Sequence, residues 1–338
     1  MTNKKPSWLE RPLHPALPVV TGEVFLFGII IFLALLSRFY ELGARVMSHD
    51  ESLHTYFSWL LYKGDGYQHT PMMHGPKQFH LLALAYYLFG VSDFTARIPS
   101  ALFSIATIWM VWYWRRYLGK AGALITALLI LISPYMLYYG RYVRNEPYSG
   151  FAGLLMLFAV LRYLEKGDKR YLFLLTISLL VNFTSKETAF IYTAQILLFL
   201  ASYFFWQILH KSWSNDKARN NFVTLVAVAI LLVGGALGAG LIGKGEAPAP
   251  VAETALPANP LAEPTMAIPP SGIIPWVAIL GLLALAAFGI AAYTLVRGLG
   301  WEKIRSERSF DLLMLTGTLV LPLLTPLIST IFGWSIPT

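Results

Sequence analysis

Cysteine is absent and charged residues are scarce in this chain of 338 residues. The absence of cysteine excludes a disulfide framework, a thiolate metal site and a cysteine nucleophile. Charged residues make up 13% of the chain and hydrophobic residues 56%, whereas a soluble domain is about a quarter charged. Because long apolar runs accompany this composition, it predicts a protein whose main solvent is the lipid bilayer.

The few charges that are present are mostly basic, and the formal net charge is +8. In a soluble protein this excess would point to nucleic acid as a partner. Basic loops that face an anionic leaflet explain it more simply. We therefore expect membrane lipids as partners and no nucleic acid.

Apolar runs of membrane length recur along the chain, near 22–40, 97–114, 120–138, 148–164, 170–184, 188–209, 221–243, 272–297 and 310–333. A shorter run over 76–90 carries Lys77 and His80 near its start and suits an amphipathic helix on the outer membrane surface. With that run on the surface and the long runs crossing, most Lys and Arg fall in short cytoplasmic loops, as the positive-inside rule requires. The sequence thus predicts an all-α bundle of about nine spans in the plasma membrane.

The same pattern divides the chain into four segments. We expect a cytoplasmic N-terminus over 1–21, and the first apolar run after it lacks a cleavage site and is interpreted as an uncleaved span. A transmembrane core over 22–243 would then include a first outer loop over 40–96. A Pro- and Ala-rich outer loop over 244–271 precedes C-terminal spans over 272–338.

Two adjacent carboxylates, Asp50 and Glu51, follow the first span in the predicted outer loop. Such a pair can bind a divalent cation, Mg²⁺ or Mn²⁺, that holds a phosphate group. Alternatively, one carboxylate can serve as a base toward an acceptor hydroxyl. A structural interpretation also exists, because Ser48 followed by these acids suits an N-cap and the first turn of a helix.

The same loop continues into a His-Gly-Pro-Lys stretch that contains His74 and Lys77. Pro and Gly break a helix here, and the next helix would begin near Pro76, where a phosphate could meet the helix N-terminus. The alternative is a loop that only turns the chain along the membrane surface. Most of the chain's 7 histidines fall in this loop, but their spacing matches no closed zinc motif.

Two further outer turns carry charged groups at the membrane boundary. One contains Arg141, Arg144 and Glu146 among tyrosines, and the other contains Lys186 and Glu187 between two apolar runs. Arginine can clamp a phosphate bidentately, and charges so near hydrocarbon are costly unless they pair or face a wet cavity. The structural alternatives are arginines that snorkel in an aromatic belt and a Lys–Glu pair that only neutralises itself.

The order of these features resembles the GT-C class of membrane glycosyltransferases. The acid pair is followed by His-Gly-Pro-Lys, by Gly-Val-Ser-Asp-Phe-Thr-Ala-Arg-Ile-Pro-Ser over 90–100, and then by the two charged turns. These motifs are similar to those of the branch of protein O-mannosyltransferases and aminoarabinose lipid A transferases. Within that branch they are similar to those of a mannosyltransferase-like bacterial and archaeal subgroup. The resemblance covers roughly 20–200.

The resemblance implies an inverting transfer of a sugar from a polyprenyl-phosphate donor to an acceptor on the outer face of the membrane. By position it makes Asp50 the catalytic acid of the first loop, with Glu51 beside it, and Glu146 the acid of the second loop. Arg141, Arg144 and Lys186 would face the lipid phosphate, and His74, Lys77 and Glu187 complete the predicted substrate-binding set. Asp50 and Glu146 are also the predicted ligands of a divalent cation, so we expect their carboxyl groups within about 10 Å of each other.

An alternative function is a non-catalytic GT-C-like subunit docked in a larger membrane protein complex; a transporter or flippase-linked role is a third possibility. Relatives of this fold usually continue for several more spans and often carry a soluble outer domain. We therefore expect groups from later loops to be missing, which favours the subunit. The location of all the candidate acids on one side of the membrane favours the enzyme.

Overall fold

The computed structural model describes residues 7–15, 18–65, 74–242 and 275–324, and these residues form helices and no strand. The α-helices are, in chain order, α1 (Gly22–Phe39), α2 (His49–Lys63), α3 (Lys77–Phe89), α4 (Asp93–Ile132), α5 (Pro134–Tyr139), α6 (Glu146–Lys166), α7 (Arg170–Phe183), α8 (Thr188–Leu209), α9 (Asp216–Ile242), α10 (Pro275–Leu299), α11 (Trp301–Arg305) and α12 (Arg308–Val320). The chain forms two compact units, Met1–Leu200 and Ala201–Thr338.

Within the described ranges, 6 helices are long and apolar enough to cross a bilayer, namely α1, α4, α6, α8, α9 and α10. The prediction of an all-α multi-pass membrane protein is therefore confirmed. The count of nine spans stays a prediction, because α7 and α12 are shorter, and the predicted run over 310–333 continues beyond the described residues. The predicted outer loop over 244–271 lies outside them.

The 40-residue helix α4 is a hairpin of two antiparallel halves rather than one rod. Gly119 interrupts it with a φ of 71°, a conformation that glycine adopts without steric cost. Arg38 contacts Ser104 in the first half at 3.3 Å and Leu131 in the second half at 3.0 Å, which a straight helix could not allow. The two halves correspond to the predicted runs over 97–114 and 120–138.

The core of the first unit lies where α1 packs against both halves of α4. The side chains that fill it are all aliphatic or aromatic and are nearly or fully buried: Phe27, Ile30, Ala34, Ile105, Ile108, Val111, Ala123, Ala127 and Leu131. Burial of apolar side chains in contact on three helical segments fixes the hairpin against α1.

Polar groups gather at the two ends of this unit. At one end, Arg115 lies 3.7 Å from Glu23, and Arg116 lies 2.9 Å from Glu165 near the end of α6. The other end, where α1 ends and α6 begins, carries α2, α3 and α5, and we call it the site end. Basic residues occur at both ends, so the orientation of this unit across the membrane stays a prediction.

Helices α2 and α3 fall in the predicted first outer loop and are not among the helices that can span a bilayer. Helix α3 packs against α2 and α4. It buries Phe79, Leu82 and Tyr86 while it exposes Tyr87 and Leu88. The exposed apolar residues suit a helix at the membrane surface, and its location there stays a prediction.

The second unit contains α9, α10, α11 and α12, and α9 and α10 pack against each other. Its buried core is apolar and consists of Ile208, Phe222, Ala291, Leu299 and Ile304. An ion pair between Lys211 and Glu307 joins two polar turns. The apolar core thus fills the interior of this unit, and the ion pair joins its turns.

Candidate functional site

The first turn of α2 presents two acids in different environments. Ser48 is the N-cap and forms a capping box with Glu51, so the helix begins where the sequence suggested. Asp50 lies one residue earlier and keeps about half of its side chain exposed, at 47%, whereas the Glu51 side chain is fully buried. Because successive helical residues point about 100° apart, the two carboxylates meet different partners.

Glu51 is bonded by both of its carboxylate oxygens. Arg97 donates to Oε1 from Nε at 2.9 Å and to Oε2 from Nη2 at 3.0 Å, and Arg45 donates to Oε2 at 2.8 Å. The backbone N–H groups of Ser48 and Val143 add bonds at 3.2 Å each. Burial raises the pKa of the Glu51 carboxyl, but the bonds from Arg97 and the backbone outweigh it, so the pKa lies below its ordinary value. Glu51 is therefore an ionised carboxylate whose two oxygens both accept hydrogen bonds from the protein, so neither is available to a substrate.

Arg97, which the sequence did not suggest as a site residue, explains this arrangement. It is almost completely buried, at 1% exposure. Besides pairing with Glu51, its Nη1 donates to the carbonyl oxygens of Leu42 and Arg45, both at 2.9 Å. Arg97 therefore ties α4 to the segment between α1 and α2. The signal that could have found it is an arginine at the start of an apolar run, where a charge is costly without a partner.

Asp50, Arg144, Glu146 and Lys186 form a chain of ion pairs, which we call the four-residue cluster. The Arg144 guanidinium bonds the Asp50 carboxylate, and its Nε lies 3.6 Å from Glu146 Oε2. Lys186 Nζ lies 2.6 Å from Glu146 Oε1. Since both carboxylates contact one guanidinium group, they lie within the separation of about 10 Å that we expected. Three separate turns of the sequence thus meet at the site end.

Several buried polar atoms in and beside the four-residue cluster have no hydrogen-bond partner among the described residues. They include Arg144 Nε, both side-chain polar atoms of Asn145, Glu146 Oε2 and His54 Nδ1. A buried polar atom without a partner costs about 1–3 kcal/mol, and such groups are usually bonded to water or a ligand. Burial lowers the pKa of His54 to about 4, and the charge of Arg144 adds to this effect, so the imidazole is neutral near pH 7. The cluster therefore keeps polar atoms, Arg144 Nε and Glu146 Oε2, that can form further hydrogen bonds with water or a ligand.

The His-Gly-Pro-Lys stretch packs directly against the turn that carries Lys186. The N–H groups of Gly75 and Lys77 donate to the carbonyl oxygens of Ser185 and Thr184 at 3.0 Å each. A Cβ on Gly75 would lie 2.1 Å from the Thr184 oxygen, so only glycine allows this approach.

At the edge of the same contact, His74 Nδ1 lies 2.8 Å from Glu187 Oε2. Two motifs more than one hundred residues apart in the sequence therefore hold each other. The pair of His74 and Glu187 fastens the turn that carries Lys186.

Lys77 and Arg141 make their contacts away from the four-residue cluster. The Lys77 amine donates to the Val181 carbonyl at 3.4 Å and lies 4.5 Å from the centre of the Tyr148 ring, and burial lowers its pKa to about 7. Arg141 donates to carbonyl oxygens at the end of α1, including that of Ser37 at 2.9 Å. Their predicted roles at a substrate phosphate stay predictions.

A cavity of about 360 Å³ opens beside the cluster, between α4, α5, α6 and α8. Glu146 and Lys186 form part of its wall. The rest of the wall combines hydroxyl-bearing with apolar residues: Ser104, Thr107, Tyr135, Met136, Tyr139, Gly140, Pro147, Ser149, Gly150, Thr188 and Tyr192. This chamber offers a carboxylate, an ammonium and hydroxyls to a polar ligand.

An apolar groove of about 490 Å³ lies beside the cavity, along α6 and α8. Gly150 and Tyr192 line both, so the two spaces are neighbours. Leu154, Leu157 and Phe199 line the groove farther from the cluster. A chamber with charged and hydroxyl groups in its wall, beside an apolar groove, suits an amphipathic ligand with a polar head and a hydrocarbon chain.

The predicted divalent-cation site does not fit these residues. Arg144 already lies between Asp50 and Glu146, in the place that a cation shared by both carboxylates would take. Among the described residues no group of three or more His, Asp and Glu side chains is arranged to hold a metal ion.

Residues 73–235 match the family model of the dolichyl-phosphate-mannose-protein mannosyltransferases. The matched region includes His74, Lys77, Arg144, Glu146 and Lys186, whereas Asp50 precedes it. No curated protein and no solved structure gives a significant match. The family match supports the GT-C glycosyltransferase superfamily and a membrane glycosyltransferase activity.

Proposed function

We propose that this chain moves a sugar from a polyprenyl-phosphate donor to an acceptor at the outer face of the plasma membrane, with inversion at the anomeric carbon. It would belong to the branch of protein O-mannosyltransferases and aminoarabinose lipid A transferases. The observation that carries the proposal is the four-residue cluster beside a cavity with charged and hydroxyl groups in its wall and a neighbouring apolar groove.

The donor fits this space by its chemistry. Its sugar phosphate would occupy the cavity beside Lys186, and its hydrocarbon chain would follow the groove between α6 and α8. Lys186 and Arg144 are the cations closest to the carboxylates of the cluster. A phosphate that bonds these cations would compete with the carboxylates for them, which would loosen the pair between Arg144 and Asp50.

Asp50 would then act as the base. Its half-exposed carboxylate would take the proton of the acceptor hydroxyl while the hydroxyl oxygen forms a bond to the anomeric carbon. The bond between that carbon and the phosphate oxygen breaks, and the electron pair leaves with the polyprenyl phosphate. Arg144 and Lys186 would stabilise the charge on the leaving phosphate, and Glu146 would hold Lys186 in place.

The remaining predicted residues would position this machinery. Glu51 would fix the first turn of α2 through Arg97, because its oxygens are fully bonded. His74 and Glu187 would fasten the turn that carries Lys186. The N-terminus would be cytoplasmic and the active face extracytoplasmic, because most Lys and Arg of the sequence fall in the predicted cytoplasmic loops.

The test is transfer of labelled mannose from dolichyl-phosphate mannose by the full chain in nanodiscs, with peptides and lipids of the source membrane as acceptors. Asp50→Asn should lower transfer by about 10²–10⁴-fold, as expected for loss of a general base, while the protein stays folded. Asp93→Asn is the control, because Asp93 is an exposed acid at the start of α4. Undiminished transfer by Asp50→Asn would refute the role of that residue, and no transfer by the unmodified chain would favour a non-catalytic subunit.

A further inference from the structure

Two arginines meet at Ser37, at the end of α1. Arg38 Nη1 donates to the Ser37 hydroxyl at 2.9 Å, and Arg141 Nη1 donates to the Ser37 carbonyl at 2.9 Å. Arg38 is fully buried, whereas the bonds of Arg141 to the carbonyls of Tyr40 and Glu41 lie at the surface. Two positive charges therefore stand side by side at the membrane boundary of the site end.

The acceptors of both guanidinium groups are neutral. Arg38 also donates to the carbonyls of Ile130 and Leu131 and to the Ser104 hydroxyl. None of the ion pairs within the described residues includes Arg38 or Arg141. Carbonyl groups at helix C-termini stabilise a cation only in part. An anion beside the pair would compensate the charge that remains.

An apolar groove of about 580 Å³ begins at the same place. Leu33, Leu36 and Tyr40 of α1 form one side, Leu131 and Ile132 at the end of α4 form the other, and Leu137 of α5 closes it. Ser37, whose carbonyl bonds Arg141, also lines the groove. The guanidinium thus stands at the polar end of a hydrocarbon-lined surface.

This groove is separate from the cavity beside the four-residue cluster. The short helix α5 lies between them: Tyr135 and Tyr139 face the cavity, and Leu137 faces the groove. A ligand in the groove would therefore contact neither Glu146 nor Lys186, which line the cavity. A ligand there would leave the cavity open.

We propose that the groove binds a glycerophospholipid with an anionic phosphodiester headgroup, its phosphate on Arg141 and one acyl chain along Leu36 and Leu131. A guanidinium has five N–H donors, and the three carbonyls of Ser37, Tyr40 and Glu41 leave donors for a phosphate oxygen. Because none of the ion pairs within the described residues includes Arg141, its positive charge favours an anionic headgroup over a zwitterionic one. The apolar walls select a lipid over a free anion.

The test is native mass spectrometry of the purified full chain with phosphatidylglycerol and phosphatidylcholine of identical acyl chains. One arginine near a membrane surface is worth about a fivefold difference in binding. We expect that preference for phosphatidylglycerol in the unmodified chain, its retention in Arg141→Lys and its loss in Arg141→Gln. Lys63→Gln is the matched control, since it removes one exposed positive charge from the site end without touching the groove.

Arg141→Gln also removes hydrogen bonds to the end of α1 and could prevent folding. A second variant therefore tests the proposal without changing Arg141. Leu36→Trp fills the groove and leaves Arg141 in place, and it should lower the binding of both lipids, because their acyl chains lose the same surface. Equal binding of the two lipids by the unmodified chain would overturn the proposal. So would a preference that survives Arg141→Gln, phosphatidylglycerol binding that Leu36→Trp leaves unchanged, a loss of preference shared by Lys63→Gln, or displacement of the lipid by inorganic phosphate alone.

Discussion

The Glu51–Arg97 pair and the four-residue cluster begin at neighbouring residues of α2 but differ in burial and in bonding. Glu51 and Arg97 are almost fully buried, and every oxygen of the carboxylate accepts hydrogen bonds. In the cluster, Asp50 is half exposed, and Arg144 Nε and Glu146 Oε2 keep unused bonding capacity. A saturated buried pair suits a structural role, whereas a partly exposed set with free bonding capacity suits substrate binding.

The largest expected effect on stability concerns the buried Glu51–Arg97 pair. Arg97→Gln should lower the free energy of unfolding by about 3–5 kcal/mol, because Glu51 would remain as a buried charge without its main partner. Arg144→Gln should cost much less, because Asp50 can turn to solvent. Unfolding of both variants in the same detergent, followed by tryptophan fluorescence, measures the difference. Equal losses of stability would remove the distinction between the two networks.

A second, smaller effect tests the contact that positions Lys186. Gly75→Ala should lower the stability by about 1–3 kcal/mol, the usual cost of forcing an extra methyl group into a packed contact. It should also lower sugar transfer, because the turn after Thr184 must move. Gly28→Ala is the control, since a Cβ there meets nothing within 4 Å. A Gly75→Ala protein with unchanged stability and transfer would show that the turn does not depend on this approach.

The smallest expected effect is a pH dependence at His54, which lies beside the four-residue cluster. Its pKa falls from 6.5 to about 4 on folding, so between these values the unfolded chain binds a proton that the folded chain does not. The stability is therefore full above pH 6.5 and falls as the pH is lowered toward 4, by about 1 kcal/mol between pH 6.5 and 5.5.

His54→Gln should flatten this part of the stability profile. His210→Gln is the control, because His210 is exposed at the end of α8. Unfolding measured in steps from pH 7 to pH 5 gives the slopes. A slope that His54→Gln leaves unchanged would assign the acid sensitivity to other groups.

Much of the fold could be predicted from hydrophobicity and helix breakers. The runs over 97–114 and 120–138 correspond to the halves of α4 because Gly119 and the adjacent basic pair mark the turn. The second run was predicted to reach residue 138, but α4 ends at Ile132, and Pro134 starts the separate helix α5. A residue before proline disfavours the helical conformation, so the break falls at Ser133.

The candidate site could be predicted only in part. The convergence of the three turns followed from the resemblance to the GT-C class, whose site requires these charged residues around one cavity. The division of roles between Asp50 and Glu51 did not follow, because it depends on Arg97, a residue far along the chain. The contacts of Arg141 with the end of α1 could not be predicted either, because it lies in a non-helical turn where periodicity assigns no direction to its side chain.

The most direct test compares Asp50→Asn and Glu51→Gln in one preparation, with unfolding and sugar transfer measured on each. We predict that Asp50→Asn keeps the stability of the unmodified chain and loses transfer. Glu51→Gln should lose about 3–5 kcal/mol of stability, since Arg97 would then be the unpaired buried charge. An Asp50→Asn protein that transfers sugar normally, or a Glu51→Gln protein as stable as the unmodified chain, would contradict the proposed division between a reacting and a holding carboxylate.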